Sequence, residues 1–367
     1  MRRSEGLVAA YLDRLEQEVL DLYKEFPGEL DTLYFGGGTP SHLSDEELGR
    51  IVWALQKTWE FPGKCETTLE ADPLTFDEKR LQTFRALGFS RLSIGLQSTQ
   101  DATLLFLGRK HNSKEGLRAV EMALEAGFEV SADLITAVPN QDAAKDLRIL
   151  AQTGVQHISV YNLTVEPDTP FARRGVTVDP DKEADDYELA NEILSGYGLE
   201  RYEVSSHAKP GHESKHNEVY WRGDYFLALG PSAASFVPLK QEVKHQELDV
   251  SRAHHLMGER HTNRVIKDWL RGEPPEVLSV DALSYTEDVL MTGLRTRRGV
   301  DVATLKERSG VDVMTYYRPL IERWIEEKRL EYAPPYLRTT NNGLLHLNRI
   351  VQAFFNYELP LHRSQRS

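Results

Sequence analysis

The feature that most constrains the fold is a regular alternation of short apolar segments with longer amphipathic ones. Five segments with the pattern of buried strands begin near residues 31, 66, 91, 130 and 157, and helical periodicity follows them. Strands that alternate with helices at this spacing form βαβ units and therefore a parallel sheet. Because no doubly wound order is indicated, we predict all or part of a TIM-type barrel, which is an α/β fold.

Three regions are predicted along the chain. Residues 1–200 form the barrel, 201–275 contribute additional strands, loops and a connecting helix, and 276–367 form a helical module with a hairpin. The hairpin is predicted over 336–347 with an Asn-Gly turn, so the last region is expected to be a winged-helix-like α+β module. A charged segment with His254, His255 and His261 is predicted to be an exposed helix rather than a metal site.

Composition excludes several classes of function. The 367 residues include 44 basic and 57 acidic side chains, and the net charge of −13 disfavours nucleic acid and anionic membrane surfaces as partners. No apolar run approaches the roughly 18 residues of a membrane span. Cys65 is the one cysteine, so no disulfide can form within the chain, which fits a reducing cytoplasm. A cysteine-based zinc or iron–sulfur site cannot be built from this chain alone.

A glycine turn follows the first predicted strand. The apolar run Leu33–Phe35 ends at Gly36-Gly37-Gly38, and a helix with a Ser-x-x-Glu capping box begins shortly afterwards. Glycines allow backbone N–H groups to approach a bound group without a Cβ in the way. The turn is therefore either a ligand cradle or a tight connection that binds nothing, and it matches neither the dinucleotide fingerprint nor the P-loop.

Polar residues stand at the carboxyl ends of the predicted strands, where barrels of this type bind ligands. They comprise Gly36 to Thr39, Glu70 with Asp72, Gln97, Asp133 and Asn162 with Thr164, and Arg109 lies just past the third strand. Any of these residues alone could cap a turn or form an ion pair. Because they come from several strands and meet at one mouth, we predict a ligand site there.

The chain resembles the HemW-type heme chaperones, relatives of oxygen-independent coproporphyrinogen III oxidase in the radical SAM superfamily. The matching runs occur in the family's order: YFGGGTP at 34–40, EADP at 70–73, LSIGLQS at 92–98, LGRKH at 107–111, ADLI at 132–135, YEVS at 202–205 and HNEVYW at 216–221. Each run is weak alone, and together they are specific.

The resemblance implies a site and a role. It implies that Gly37, Gly38 and Thr39 hold the methionine end of S-adenosylmethionine (SAM), and that Glu70, Gln97, Arg109, Asp133 and Thr164 line the rest of that pocket. It further implies heme binding and transfer to an unidentified acceptor protein. Contact with a membrane is then expected only through the acceptor. His207 and His216, which could equally be packing residues, are the candidate heme ligands.

Two departures from the family pattern matter. The family has a first strand ending in Cys-x-x-x-Cys-x-x-Cys, which binds a [4Fe-4S] cluster, and neither that strand nor its cysteines occur in this sequence. We expect a native protein with these elements upstream of Met1, and a cluster-free relative is the other explanation. Gly230-Pro-Ser-Ala also replaces a glycine-alanine-histidine run, which removes a histidine. A coproporphyrinogen III oxidase and a non-catalytic SAM- or partner-binding module remain alternatives.

Overall fold

The computed structural model describes residues 5–239 and 255–357 of the chain. Two structural units are present: one spans Leu20–His216, and the other combines the described residues before and after that range. Helix α1 (Glu5–Glu25) begins in the second unit and ends in the first. Among the described helices, none combines the length and the apolar character needed to cross a membrane.

The first unit is built on one sheet with helices between its strands. Its elements are β1 (Thr32–Phe35), a 3₁₀ turn (Pro40–His42), α2 (Asp45–Gln56), β2 (Glu66–Ala71), α3 (Glu78–Ala86), β3 (Arg91–Gln97), α4 (Asp101–Phe106), α5 (Ser113–Glu125), β4 (Glu129–Thr136), α6 (Ala143–Gln152), β5 (His157–Asn162), α7 (Pro170–Arg173), α8 (Pro180–Ser195), β6 (Glu200–Arg201) and β7 (Ser206–Ala208). All five predicted strands are present and begin within two residues of the predicted positions, which confirms the α/β prediction.

The sheet is parallel through β1–β2–β3–β4–β5 and antiparallel beyond. Strand β7 runs antiparallel to β5, and β6 pairs with the free side of β7. This is a partial TIM-type barrel sheet, as predicted. Its parallel strands place their carboxyl ends at one edge, so the polar residues at the strand ends are brought to the same edge.

The two faces of this sheet differ in chemistry. One face is apolar, with Leu69, Leu92, Val130 and Ile158 fully buried in a core that also contains side chains from the helices. On each strand, the side chains that alternate with these apolar residues point to the opposite face. There, Glu70 lies beside Ser93, and Asp133 lies beside Ser159. We call these the apolar face and the polar face.

The second unit contains two antiparallel three-stranded sheets and several helices. Its elements are α9 (Lys215–Trp221, which crosses from the first unit), β8 (Ala234–Val237), β9 (Leu256–Thr262), α10 (Ile266–Trp269), β10 (Glu276–Asp281), α11 (Ala282–Gly293), β11 (Val300–Asp301), α12 (Val302–Ser309), α13 (Val313–Tyr316), α14 (Arg318–Glu326), β12 (Leu330–Ala333), β13 (Tyr336–Thr339), α15 (Asn341–Leu344) and α16 (Leu347–Phe355). The strand orders are β10-β9-β8 and β11-β13-β12, and helices followed by the β12–β13 hairpin confirm the winged-helix-like C-terminal module.

Two local predictions were wrong. The hairpin turns at Pro334-Pro335, and Asn341 begins a short helix because the Thr340 hydroxyl accepts the Gly343 amide as an N-cap. The histidine segment forms strand β9 rather than a helix, so His261 pairs with Val277 and Ser235 in a sheet. The helix prediction, made from the charged composition of the segment, failed because pairing with neighbouring strands overrides the weak local preference of charged residues. His254 lies outside the described residues.

Candidate functional site

The glycine turn lies against the end of β2. A Cβ added at Gly36 would lie 2.7 Å from the Tyr34 ring and 2.8 Å from Glu70 Oε1, so a larger residue would displace these two side chains. Gly37 and Gly38 follow with φ angles of +76° and +120°, which favour glycine. A Cβ at either of them would meet no neighbour within 4 Å, so the turn has room beside it. The positive φ angles alone therefore favour glycine in this turn, and the turn also lies close to the Glu70 carboxylate.

Glu70 and Asp133 form the centre of the strand-end site. The Tyr34 hydroxyl donates a 2.8 Å hydrogen bond to Glu70 Oε1, which fixes the direction of that carboxylate. Burial raises the pKa of Asp133 to about 6, and the Glu70 charge adds to this effect, whereas hydrogen bonds from Ser159 and Ser93 and the Arg109 charge oppose it. Both carboxylates and Arg109 thus act on one another, so the structure brings these three predicted residues together.

The remaining predicted residues occupy the same edge of the sheet with different exposure. Gln97 ends β3 with a φ of +69° and is 9% exposed, after a register irregularity between β3 and β4. Such an irregularity changes the direction of a side chain that lies at the end of a strand. Thr39 is half-buried and precedes the 3₁₀ turn. Thr164 is exposed, two residues beyond β5, and its hydroxyl lies 3.5 Å from the Asn162 carbonyl.

Sequence reasoning missed an ion network near the amino ends of the strands. Arg91 is 2% exposed, and its Nη1 lies 3.3 Å from Glu66 Oε2 and 2.7 Å from Glu129 Oε1. Its Nη2 donates to the His212 carbonyl at 3.0 Å. The sequence did contain a sign of this polar face, because polar residues recur at every second position of β2 to β5. Parallel strands that are buried on both sides are instead continuously apolar.

A second buried chain of hydrogen bonds lies on the same polar face. His157 Nδ1 is 2.6 Å from Ser131 Oγ, and its Nε2 is 2.8 Å from the Tyr202 hydroxyl. Burial, followed by the Arg91 charge, lowers the pKa of His157 well below its ordinary value. The imidazole is therefore neutral, with one nitrogen donating and the other accepting.

His216 lies near the amino ends of β1 and β2, and Tyr34 connects it to the strand-end site. Its ring stacks on Tyr34 with centroids 5.0 Å apart, and its Nδ1 is 2.9 Å from Thr32 Oγ1. Its backbone N–H donates to Glu66 Oε1 at 3.0 Å. Burial lowers the pKa of His216, although the nearby Glu66 charge opposes this shift. Through Tyr34, this histidine is one contact away from Glu70.

His207 does not join the strand-end site. It lies on β7 opposite Ile158 and therefore points to the apolar face, where it is 2% exposed. Burial, followed by the Arg201 charge, lowers its pKa to about 3. An imidazole in this position is closed to a ligand as large as heme.

The strand-end residues fit SAM but not an iron–sulfur cluster. Two carboxylates suit an ammonium and ribose hydroxyls, a guanidinium suits a carboxylate, and the glycine turn leaves room beside them. By contrast, the single cysteine, Cys65, precedes β2 and thus lies at the opposite end of that strand from Glu70 and Ala71. Within the described ranges, no group of three or more potential metal ligands occurs.

Comparisons with known proteins agree with this architecture. The radical SAM superfamily model matches residues 6–159, and the HemN C-terminal domain model matches residues 280–346. The structure of coproporphyrinogen III oxidase (HemN) from Escherichia coli is similar in fold, with a TM-score of 0.78 over 97% of this chain and 85% of that chain at 20% identity.

Relatives named heme chaperone HemW match nearly the whole chain. The protein from Synechocystis is 30% identical over 382 residues, covering 96% of this chain and 89% of its own. The protein from Haemophilus influenzae is 38% identical over 337 residues, covering 90% and 84%. With both domain models matched in order, the chain belongs to the HemW-type family of the radical SAM superfamily.

Proposed function

We propose that this protein binds heme and transfers it to an acceptor protein. The observation that carries the proposal is its similarity, at 30–38% identity over at least 90% of the chain, to proteins named heme chaperone HemW. The acceptor is an unidentified protein, and any contact with a membrane occurs through it. The proposed location is the cytoplasm, and the net charge of −13 argues against nucleic acid as a partner.

We also propose that the strand-end site binds SAM. Gly37, Gly38 and Thr39 hold its methionine end, and the lining residues are Glu70, Gln97, Arg109, Asp133 and Thr164. SAM brings an ammonium, a carboxylate and ribose hydroxyls to the site. Glu70, oriented by the Tyr34 hydroxyl, is the acceptor for the ammonium because its carboxylate lies directly beside the glycine turn at Gly36.

Of the two candidate heme ligands, His216 is the one we propose. His207 is 2% exposed on the apolar face, so iron reaches it only if the sheet and helices separate. His216 is half-buried, so part of its side chain is already accessible. Its low pKa keeps the imidazole neutral, as iron ligation requires.

Titration of hemin with His216→Ala tests the ligand. We expect the Soret band of the wild-type complex to shift, and its affinity to fall about tenfold or more in the variant, since a lost axial ligand costs at least ~1.4 kcal/mol. His346→Ala removes an exposed histidine of the second unit and is the matched control. Equal affinity and equal spectra in all three proteins exclude His216 as ligand and leave heme binding itself intact.

Calorimetry tests the SAM site separately. The variant Glu70→Gln is expected to weaken SAM binding about tenfold, because an ammonium loses its charged acceptor. Glu78→Gln changes an exposed glutamate at the start of α3 and is the control. If Glu70→Gln and Glu78→Gln bind SAM as the wild type does, the strand-end site is not the SAM site.

A further inference from the structure

A cluster of buried polar side chains lies between α8 and the β6–β7 pair, away from the strand-end site. Arg201 on β6 is directly opposite His207 on β7, and His207 is opposite Ile158 on β5. Ile158 belongs to the apolar core, so all three side chains point towards the helices. The Arg201 guanidinium carbon lies 4.6 Å from the centre of the Tyr187 ring on α8.

These polar atoms have no partners in the part of the chain that the structure describes. Arg201 Nη1, both ring nitrogens of His207 and the Tyr187 hydroxyl are each buried without a hydrogen bond. Arg201 is 8% and His207 2% exposed, and Tyr187 is half-buried with its hydroxyl oxygen inside. Buried polar groups are almost always paired, so four unpaired atoms at one place require an explanation.

The unpaired group of Arg201 is charged as well as polar. A guanidinium does not lose its proton in a protein, so Arg201 remains positive at every pH of interest. A buried charge without a partner destabilises the folded protein strongly, so a counter-charge is expected. Glu203 is near enough to raise the pKa of Tyr187 and accepts the Ser205 amide at 3.1 Å, but among the described residues Arg201 Nη1 itself has no hydrogen-bond acceptor.

The chemistry of the cluster selects an anion as the missing partner. Arg201 offers only donors, the Tyr187 hydroxyl can donate, and a neutral His207 has one N–H. The packing of His207 against the apolar core limits the size of a ligand. We propose that Tyr187, Arg201 and His207 form a binding site for a small anion, either chloride or a single carboxylate or phosphate group.

The first test follows thermal unfolding of the wild type and of Arg201→Met as chloride, acetate or phosphate replaces gluconate at constant ionic strength and pH 7. We expect saturable stabilisation of the wild type, by about 5–10 °C at one hundred times the dissociation constant. The variant should lack this response, and in gluconate it should be at least as stable as the wild type, because an unpaired buried charge is gone. Which anion acts at the lowest concentration identifies the source.

The controls separate binding from general effects of salts. Phosphate stabilises many proteins by exclusion from their surface, and this contribution is common to the wild type and the variant. Arg118→Met removes an exposed arginine of the same unit that pairs with Glu125, and it should respond as the wild type does. Tyr187→Phe and His207→Phe each remove one donor and should weaken the dissociation constant about threefold to tenfold.

A second measurement covers an anion that is already bound when the protein is purified. The protein is dialysed into gluconate and denatured, and released anions are quantified by ion chromatography. We expect about one equivalent per chain from the wild type and none from Arg201→Met. Equal anion responses in the two proteins, together with no released anion, overturn the proposal and leave water as the occupant. Heme and SAM binding are not involved, so the proposed function stands or falls separately.

Discussion

Replacement of Arg91 by methionine is the perturbation whose cost the structure defines best. Arg91 is 2% exposed and pairs with Glu66, whose side chain is 6% exposed, and with Glu129, whose side chain is 31% exposed. Methionine fills much of the same volume but leaves the Glu66 carboxylate buried without its cation. Removal of one partner from a buried pair costs about 3–5 kcal/mol. The more exposed Glu129 keeps contact with water and with His212 Nδ1 at 3.2 Å, so most of the cost falls on Glu66.

The assay is urea unfolding of the wild type, Arg91→Met and the double variant Arg91→Met/Glu66→Gln. We expect the single variant to lose about 3–5 kcal/mol in the free energy of unfolding, and the double variant to recover part of it, because no buried charge then lacks a partner. Hydrogen exchange should also accelerate at Lys215 and His216, whose amides donate to Glu66. A loss below about 1 kcal/mol for Arg91→Met refutes this reasoning, since it is what an exposed pair would give.

Three further predictions concern single side chains. Tyr34→Phe removes the hydroxyl that orients Glu70, so SAM affinity measured by calorimetry should fall about threefold to tenfold; unchanged affinity would show that Glu70 needs no such support. The pKa of Asp133 is raised to about 6, which means that the folded protein favours the protonated side chain. The stability that protonated Asp133 contributes is fully present below the ordinary pKa near 4 and is lost as the pH rises through 6. Asp133→Asn should therefore be more stable than the wild type at pH 8 by about 1–3 kcal/mol in urea unfolding, and the difference should vanish near pH 4; a constant difference contradicts the assignment. Glu18 is buried and accepts hydrogen bonds from the Gly230 amide, the Asn263 amide group and the Trp269 indole. Glu18→Ala should therefore lower the free energy of unfolding by about 3 kcal/mol, and Glu18→Gln should lower it by less. Equal losses in the two variants would argue against a contribution from these hydrogen bonds.

Much of the fold could be predicted because its signals are local. The run Leu33–Phe35 before three glycines marks a strand end, and the Ser44–Glu47 capping box marks the start of α2, where both reciprocal hydrogen bonds are present. Alternation of such units implies a parallel sheet and a shared carboxyl edge. Glu70 and Asp133 could therefore be assigned to one site from their positions in the sequence alone.

The errors arose where two local signals competed. Asn341-Asn342-Gly343 has the composition of a hairpin turn, but Thr340 caps a helix there, and the chain reverses instead at Pro334-Pro335. Likewise, no local pattern distinguished β9 from a charged helix, because its conformation depends on pairing with β8 and β10. Turn composition predicts a reversal only when no competing cap is present.

Other features depend on contacts between distant residues and could not be predicted from local patterns. Arg91 meets Glu66 and Glu129 only because three strands place them side by side on the polar face. His207 was singled out as a heme ligand from its residue type, whereas its strand partner Ile158 turns it towards the apolar face. Strand register decides which face a residue occupies, and one sequence does not reveal register for short strands such as β6 and β7.

Titration of the purified protein with hemin tests the central claim most directly. At micromolar protein, we predict a shifted and sharpened Soret band that saturates at a defined stoichiometry with a dissociation constant in the micromolar range or below. The bound heme should then pass to apomyoglobin when the two are mixed. If the spectrum remains that of free hemin at every protein concentration up to tens of micromolar, the protein does not act as a heme chaperone by itself, and the proposed function is wrong for this chain.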